Sequence, residues 1–279
     1  MTPHVHPALA TVSEQMRQRL SEAACVFCFL DYDGTLAPLA PTPDEARPLP
    51  GTGRLLRALA ALPAMRVAVV SGRSIVDILR FLDIPGVYYV GLHGLEVRIP
   101  GGQTEWTQDV DVVRARLPAI RRRLEQSLAG RRGVLLEDKG AVLACHYRLA
   151  SQADAVAVRQ TLAAVVAAQE GNGVPLTLAH GHEVTEIRPA SANKGQTVCR
   201  LLAAHSPAAL AVFIGDDLTD EDAFAWLPAQ SITIRVGSST AHTLARYRIH
   251  DPGEVHRFLR ALLELRRRRV RAAVRASEG

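Results

Sequence analysis

The hexapeptide Asp31-Tyr32-Asp33-Gly34-Thr35-Leu36 sets two carboxylates two residues apart, directly after the apolar run Val26-Phe27-Cys28-Phe29-Leu30. That run is short, rich in strand formers and closed by a turn signal, which predicts a fully buried β-strand. In open α/β sheets, chemistry collects at the carboxyl ends of such strands. Two aspartates placed there repel each other unless a cation sits between them. This points to a divalent metal held by hard oxygen ligands, most simply Mg²⁺. The plainer alternative is an Asp-Gly turn whose carboxylates only cap backbone N–H groups. Two more predicted strand ends carry polar groups: Ser71-Gly72-Arg73 after residues 65–70, and Gly215-Asp216-Asp217 after residues 210–214, with Asp220 a turn later. Lys194 opens the helix before that last strand. Carboxylates from two strands can hold a metal, a hydroxyl and an ammonium can hold phosphate oxygens, and a carboxylate can attack phosphorus. Singly, Ser71 could be a helix cap and Gly-Asp-Asp a loop. Together, in this order, the pieces point to phosphoryl transfer.

Lysine usage isolates a second position. Of 33 Lys plus Arg, two are lysines, Lys139 and Lys194. A chain this biased toward arginine keeps lysine where a compact ammonium fits and a planar guanidinium does not. Lys139 is thereby marked alongside Lys194; the alternative is chance survival on a surface hairpin.

The elements that must position these groups alternate as βα units. A Pro-rich loop (37–50) and a helix (52–62) follow the first strand; a helix (74–82) and a strand (87–92) follow the second. The middle of the chain changes character. A long basic helix (110–128) leads to two strands (134–137 and 142–147) joined by a tight turn, a helix (154–168), and a hairpin (176–180 and 183–187) across Gly181. The order αββαββ predicts an antiparallel sheet backed by two helices, inserted into a parallel α/β unit. The βα pattern then resumes, with helices at 194–204 and 220–226, strands at 210–214 and 231–236, and a final helix at 252–269. The first dozen residues are expected to fray.

From Val26 onward these residues resemble the haloacid dehalogenase superfamily of phosphohydrolases. The resemblance implies an α/β fold: a doubly wound parallel-sheet core with an inserted α/β cap of the C2 type. It implies Asp31 as nucleophile, Asp33 as the acid that protonates the leaving oxygen and then activates water, and Ser71 and Lys194 as phosphate-binding groups. It makes Asp216 a metal ligand together with Asp31 and the backbone carbonyl of Asp33, with Asp217 or Asp220 orienting that site. The stretches Glu137-Asp138-Lys139-Gly140, Cys145-His146-Tyr147-Arg148, Glu186-Ile187-Arg188-Pro189, Asn193-Lys194-Gly195 and Gly91-Leu92-His93-Gly94-Leu95-Glu96 are similar to trehalose-6-phosphate phosphatases. In that family the cap closes over the core and reads the disaccharide. Glu137, Lys139 and Glu186 match its sugar-binding cap residues. Tyr32, Arg73, His93, His146, Arg148 and Arg188 are further substrate-contact candidates. His93 could instead cap a turn, and Arg188 could pair with Glu186 or Glu96. Tyr32 stands where many relatives carry Phe. The implied reaction is Mg²⁺-dependent hydrolysis of trehalose 6-phosphate through an aspartyl-phosphate. Rival readings are another capped sugar phosphatase, acting on sucrose, mannosylglycerate or hexose phosphates, and a catalytically silent sugar-phosphate sensor. The implied division is 1–19 N-terminal extension, 20–109 core, 110–188 cap and 189–279 core.

Composition bounds the rest. The 279 residues are 48% hydrophobic and 22% charged, as in ordinary globular proteins. No apolar run approaches membrane-span length, and Met1 to Ala10 lacks the pattern of a secretory signal, so a cytoplasmic protein is expected. No segment is long enough to be a fused glucosyltransferase, so a stand-alone phosphatase is expected, as a monomer or weak dimer. The Cys25-x-x-Cys28 spacing lies inside a strand with no second pair, and buried thiols are expected. The net charge of +5 includes the run Arg266 to Arg269, then Arg271 and Arg275. It follows an amphipathic pattern without interleaved aromatics. A solvated basic helix end is therefore expected, and no nucleic-acid contact.

Overall fold

The computed structural model describes residues 14–107, 110–169, 171, 173–181, 183–238 and 242–277, with side chains described as far as residue 272. The expectation for the first dozen residues, and the Arg275 side chain, lie outside the described residues.

The chain runs α1 (Glu14–Glu22), β1 (Val26–Asp31), α2 (Thr52–Ala60), β2 (Met65–Val70), α3 (Ile75–Leu79), β3 (Val87–Gly91), β4 (Glu96–Arg98) and β5 (Thr104–Trp106). It continues through α4 (Val110–Ser127), β6 (Leu135–Asp138), β7 (Leu143–His146), α5 (Gln152–Ala167), β8 (Leu176–His180) and β9 (Val184–Pro189). It ends with α6 (Lys194–His205), β10 (Leu210–Gly215), α7 (Leu218–Trp226), β11 (Ile232–Val236), β12 (Tyr247–Ile249) and α8 (Pro252–Ser277).

One sheet of eight strands has the order β12-β11-β10-β1-β2-β3-β4-β5. Its first six strands are parallel; β4 and β5 add an antiparallel edge. Parallel strands covered on both faces must be apolar throughout, and the alternation along β1 shows how. Val26, Cys28 and Leu30 enter a core with residues of α1, α2, α3 and α8, whereas Phe27 and Phe29 enter one with residues of α6 and α7. Cys28 is thus a buried thiol, as expected. The sheet is wound on both sides, and its centre is β1, flanked by β10 and β2.

The second sheet is antiparallel, in the order β6-β7-β9-β8. Leu143, Cys145 and Ile187 point to one face and pack with Val113, Leu117 and Ile120 of α4 and Val158, Leu162 and Val165 of α5. Those helix positions recur every three to four residues, the spacing of a single buried stripe. The opposite face carries Glu137, Ala144, Glu186 and Ala179 in one row across all four strands. A small apolar cluster of Leu92, Leu95, Val110, Ala141, Val142 and Ala192 joins the two sheets' layers.

Several elements differ from expectation, among them α1 (Glu14–Glu22) and β12 (Tyr247–Ile249), which the sequence reading does not predict. The β4–β5 hairpin carries no strand signal, because strands of three residues are too short to show a hydrophobic period. The last helix runs on to Ser277. Its basic end is not simply solvated: Arg266 is 1% exposed. Its Nη1 donates to the carbonyls of Leu20 and Ala23 at 3.0 and 2.7 Å, and Nη2 to that of Ala64 at 3.2 Å. Arg269 likewise reaches the Ser21 carbonyl at 2.5 Å.

Candidate active site

β1, β2 and β10 end side by side, so their terminal groups share one crevice. Asp31 closes β1, with 4% of its surface exposed. Lys194 is the first residue of α6, whose N-cap Asn193 accepts the Gln196 N–H. The cap fixes the helix start and aims Lys194 at the strand ends. Its Nζ donates to Asp31 Oδ1 and Asp220 Oδ1, each at 2.7 Å. Asp31, Asp216 and Asp220 each bring a carboxylate oxygen within 4.8 Å of the others. Gly34 makes the approach possible. Its φ is +74°, and a Cβ there would lie 2.0 Å from Asp216 Oδ2.

Two buried carboxylates and the half-buried Asp216 around one ammonium leave the cluster short of positive charge. Burial first, then Asp220 and Asp216, raise the Asp31 carboxyl well above its usual range, although Lys194 opposes this. Burial, then Asp220 and Asp217, push Asp216 up to about 7. Burial works against the Lys194 charge, but Asp220 and Asp31 hold its ammonium above the ordinary value. Clustered hard oxygen donors with raised proton affinity fit a divalent cation such as Mg²⁺.

The carboxylates of Asp217 and Asp33 lie outside this group; for Asp33 the group expected at the metal is the backbone carbonyl. Asp217, expected beside the metal, is not in this group. Its N–H donates to Asp220 Oδ2 at 2.9 Å, and its own carboxylate lies toward the β8–β9 turn, within 3.7 Å of a Cβ built on Gly181. Asp220 takes the inner place, since the first turn of α7 folds it back under Gly215. The Asp33 carboxylate also turns away from the cluster, into a fork with Arg73 (Nε to Oδ2 2.7 Å, Nη2 to Oδ1 2.6 Å). The Arg73 guanidinium lies 4.9 Å over the Tyr32 ring. Tyr32 itself is fully buried in the core, with its hydroxyl donating to the Ala46 carbonyl at 2.9 Å. Its candidacy as a substrate contact is corrected: with Asp31 facing the crevice, the next side chain faces the opposite layer. Ser71 does not cap α3, a role taken by Ser74. The Ser71 Oγ accepts the Arg73 N–H at 3.1 Å.

The second sheet closes over this crevice with its polar face. Glu186 Oε1 accepts from Lys139 Nζ at 2.7 Å, and Glu186 Oε2 lies 2.5 Å from His93 Nε2. Lys139 Nζ also reaches the Gly72 carbonyl at 3.4 Å. Burial alone would raise the Glu186 carboxyl, but Lys139 and His93 outweigh it and hold it well below the usual range. Burial lowers the His93 imidazole despite Glu186. Beside an ionised carboxylate the ring donates from Nε2. His146 Nε2 lies 2.8 Å from Glu137 Oε2, and that hydrogen bond lowers the Glu137 carboxyl. Arg148 leans on the core instead, donating to the Ala40 carbonyl at 2.8 Å, with Glu183 at 3.4 Å. Arg188 forms neither suggested pair. Its Nε and Nη1 are buried without an acceptor among the described residues, and Glu96 accepts the Ile75 N–H at 2.6 Å.

Residues 29–252 match the family model described as trehalose-phosphatase. The chain belongs to the trehalose-phosphatase family, within the haloacid dehalogenase superfamily. It is 34% identical over 248 residues to the trehalose-phosphate phosphatase of Mycobacterium avium (strain 104), covering 85% of this chain and 61% of that one. It is 30% identical over 281 residues to the probable trehalose-phosphate phosphatase D of Arabidopsis thaliana, covering 95% of this chain and 74% of that one. The chain thus spans about three fifths of the mycobacterial relative's length. The C-terminal domain of C. albicans trehalose-6-phosphate phosphatase superposes with a TM-score of 0.78 at 22% identity, covering 94% of this chain and 99% of that one, and shares the fold. Among the described residues no helix is long and apolar enough to cross a membrane.

Proposed function

We propose that this protein is a cytoplasmic, Mg²⁺-dependent phosphatase that hydrolyses trehalose 6-phosphate to trehalose and phosphate. The carrying observation is Asp31, held by Lys194 at 2.7 Å in a carboxylate cluster, directly under a polar face with ionised Glu137 and Glu186.

Asp31, Asp216 and Asp220 would hold the metal. When bound, it supplies positive charge that keeps Asp31 ionised and balances the phosphoryl oxygens. A carboxylate oxygen of Asp31 attacks phosphorus as the bond from phosphorus to the sugar oxygen breaks. The proton for that oxygen comes from Asp33, so the fork with Arg73 must open first. A water then attacks the aspartyl-phosphate, Asp33 takes its proton, and the bond from phosphorus to Asp31 breaks. Lys194 and Ser71 hold phosphoryl oxygens through both steps. Glu137, Lys139 and Glu186 hydrogen-bond sugar hydroxyls, where charge-assisted bonds discriminate well.

The test is phosphate release from a panel of trehalose, sucrose, mannosylglycerate and hexose phosphates with Mg²⁺. Trehalose 6-phosphate is expected to have the highest kcat/KM, and Asp31→Asn to abolish turnover with the fold intact. Equal kcat/KM for a monosaccharide phosphate would remove the assignment, and ligand binding without turnover by the wild type would favour a sensor.

A further inference from the structure

The turn between β3 and β4 is backbone-strained. Leu92, His93 and Gly94 have consecutive positive φ values of 47°, 57° and 105°. Side-chain-bearing residues enter this region at a cost, and such outliers persist only where the surroundings fix them. Here the surroundings are the phosphate loop that follows β2. The Ser71 N–H donates to the Val90 carbonyl at 2.9 Å, the His93 N–H to that of Ser71 at 3.0 Å, and the Leu92 N–H to that of Arg73 at 2.8 Å. The Glu96 carboxylate accepts the Ile75 N–H at 2.6 Å. Packing adds to the tie: a Cβ on Gly72 would lie 2.6 Å from the His93 ring. The strained turn and the loop carrying Ser71 and Arg73 therefore form one rigid unit.

The same turn also reaches the second sheet. His93 is 5% exposed and meets Glu186 at 2.5 Å. Leu92 and Leu95, on either side, pack with Ala141 and Val142. Lys139, bonded to Glu186, closes the circuit at the Gly72 carbonyl.

We propose that His93 is a positioning residue that couples occupancy of the sugar-reading face to the placement of Ser71 and Arg73, so that the disaccharide is used to raise kcat. This rests on the proposed trehalose 6-phosphate reading. Binding energy from a remote part of a substrate accelerates the reaction only when it is realised at the reacting centre. The link from Glu186 through His93 to the Ser71–Gly72–Arg73 backbone is a short covalent and hydrogen-bonded path for that.

His93→Asn separates the contact from the turn. Asn tolerates left-handed backbone but is too short to reach Glu186. His93→Gln keeps an N–H donor of nearly the original reach. Both are compared with wild type on trehalose 6-phosphate and on a small aryl phosphate that cannot touch Glu137 or Glu186, with circular dichroism to verify folding. The expected result is that His93→Asn lowers kcat for trehalose 6-phosphate by about 30-fold with KM within about threefold, as for an interaction realised only in the transition state. The ratio of the two kcat values should collapse by roughly tenfold or more, and His93→Gln should recover most of it. A rise in KM with kcat unchanged would make His93 a plain sugar contact and overturn the proposal. So would a parallel fall for both substrates, which marks a structural role, or a wild-type ratio near one. If His93→Asn fails to fold, His93→Gln decides alone: a wild-type ratio is expected, and a collapsed one overturns the coupling. Wild-type inactivity on trehalose 6-phosphate with activity on the aryl ester would instead count against the functional reading, and is visible in the same table before any variant is considered.

Discussion

Replacing Lys194 by methionine keeps most of the stem and deletes the charge. The ammonium is buried, 2.7 Å from Asp31 Oδ1 and 2.7 Å from Asp220 Oδ1, with Asp216 in the same cluster. Removing one partner of a buried ion pair costs about 3–5 kcal/mol, because the remaining charge stays out of water without compensation. Unfolding entropy of about 2.1 cal/mol/K per residue, over 279 residues, amounts to about 0.6 kcal/mol/K. The variant is therefore expected to melt about 5–9 °C below wild type in chelator-treated buffer. A divalent cation in the carboxylate cluster restores positive charge, so saturating Mg²⁺ should raise the variant's Tm by more than it raises wild type's. Differential scanning calorimetry of both proteins, with chelator and with Mg²⁺, gives all four values. A loss below about 2 °C, equivalent to about 1 kcal/mol, would refute the claim that Lys194 neutralises this cluster. A loss that Mg²⁺ leaves unchanged would refute the claim that the three aspartates take the ion.

Other outcomes follow from the same geometry. Gly34→Ala builds a methyl 2.0 Å from Asp216 Oδ2 at a φ of +74°; expelling that carboxylate should weaken Mg²⁺ affinity by roughly tenfold or more, measured by isothermal titration. Asp216 is raised to about 7, above its unfolded value. Folded apo protein therefore binds the extra proton below about pH 7, and its stabilisation by that proton is lost as pH rises through this range. Metal binding displaces the proton, so Mg²⁺ affinity should fall about tenfold per pH unit below pH 7, with proton release visible in buffers of different ionisation enthalpy. Arg266→Met strips the donors from the carbonyls of Leu20, Ala23 and Ala64. It should cost about 2–4 kcal/mol, read by denaturant unfolding, whereas exposed Arg267→Met should be near neutral.

The place of the candidate site was legible where a single period decides it. Buried strands ending in Asp31, Ser71 and Asp216 announce a parallel sheet with groups at one end, and the alternation through Glu137 and Lys139 brings both to the crevice side. That alternation also argues against Tyr32 as a substrate contact, since its neighbours Asp31 and Asp33 claim the opposite direction. The stripe Val255, Phe258, Leu259, Leu262, Leu263 continues at Arg266, which falls on its buried face; reading the run only as charge hides this. Asp217 and Asp220 could not be ranked, because the choice depends on how α7 starts against Gly215. The Arg73–Asp33 fork and the His93–Glu186 contact join residues far apart in sequence, and local spacing carries no trace of them. The hairpin of β4 and β5 is too short to leave a pattern.

The two sheets differ in how far apart their strands lie along the chain. All four strands of the smaller one fall between Leu135 and Pro189, whereas β1 pairs with β10, Val26 opposite Leu210. As the polypeptide leaves the ribosome, the smaller sheet can assemble once Pro189 has emerged, while β1, though it can pair early with β2, must wait for its other neighbour, synthesised almost two hundred residues later. The carbonyls of Leu20, Ala23 and Ala64 wait longer still, until Arg266 arrives. The nascent chain thus carries an open apolar layer through most of translation. That is the interval in which a chaperone binding Val26–Asp31 would have most to shield.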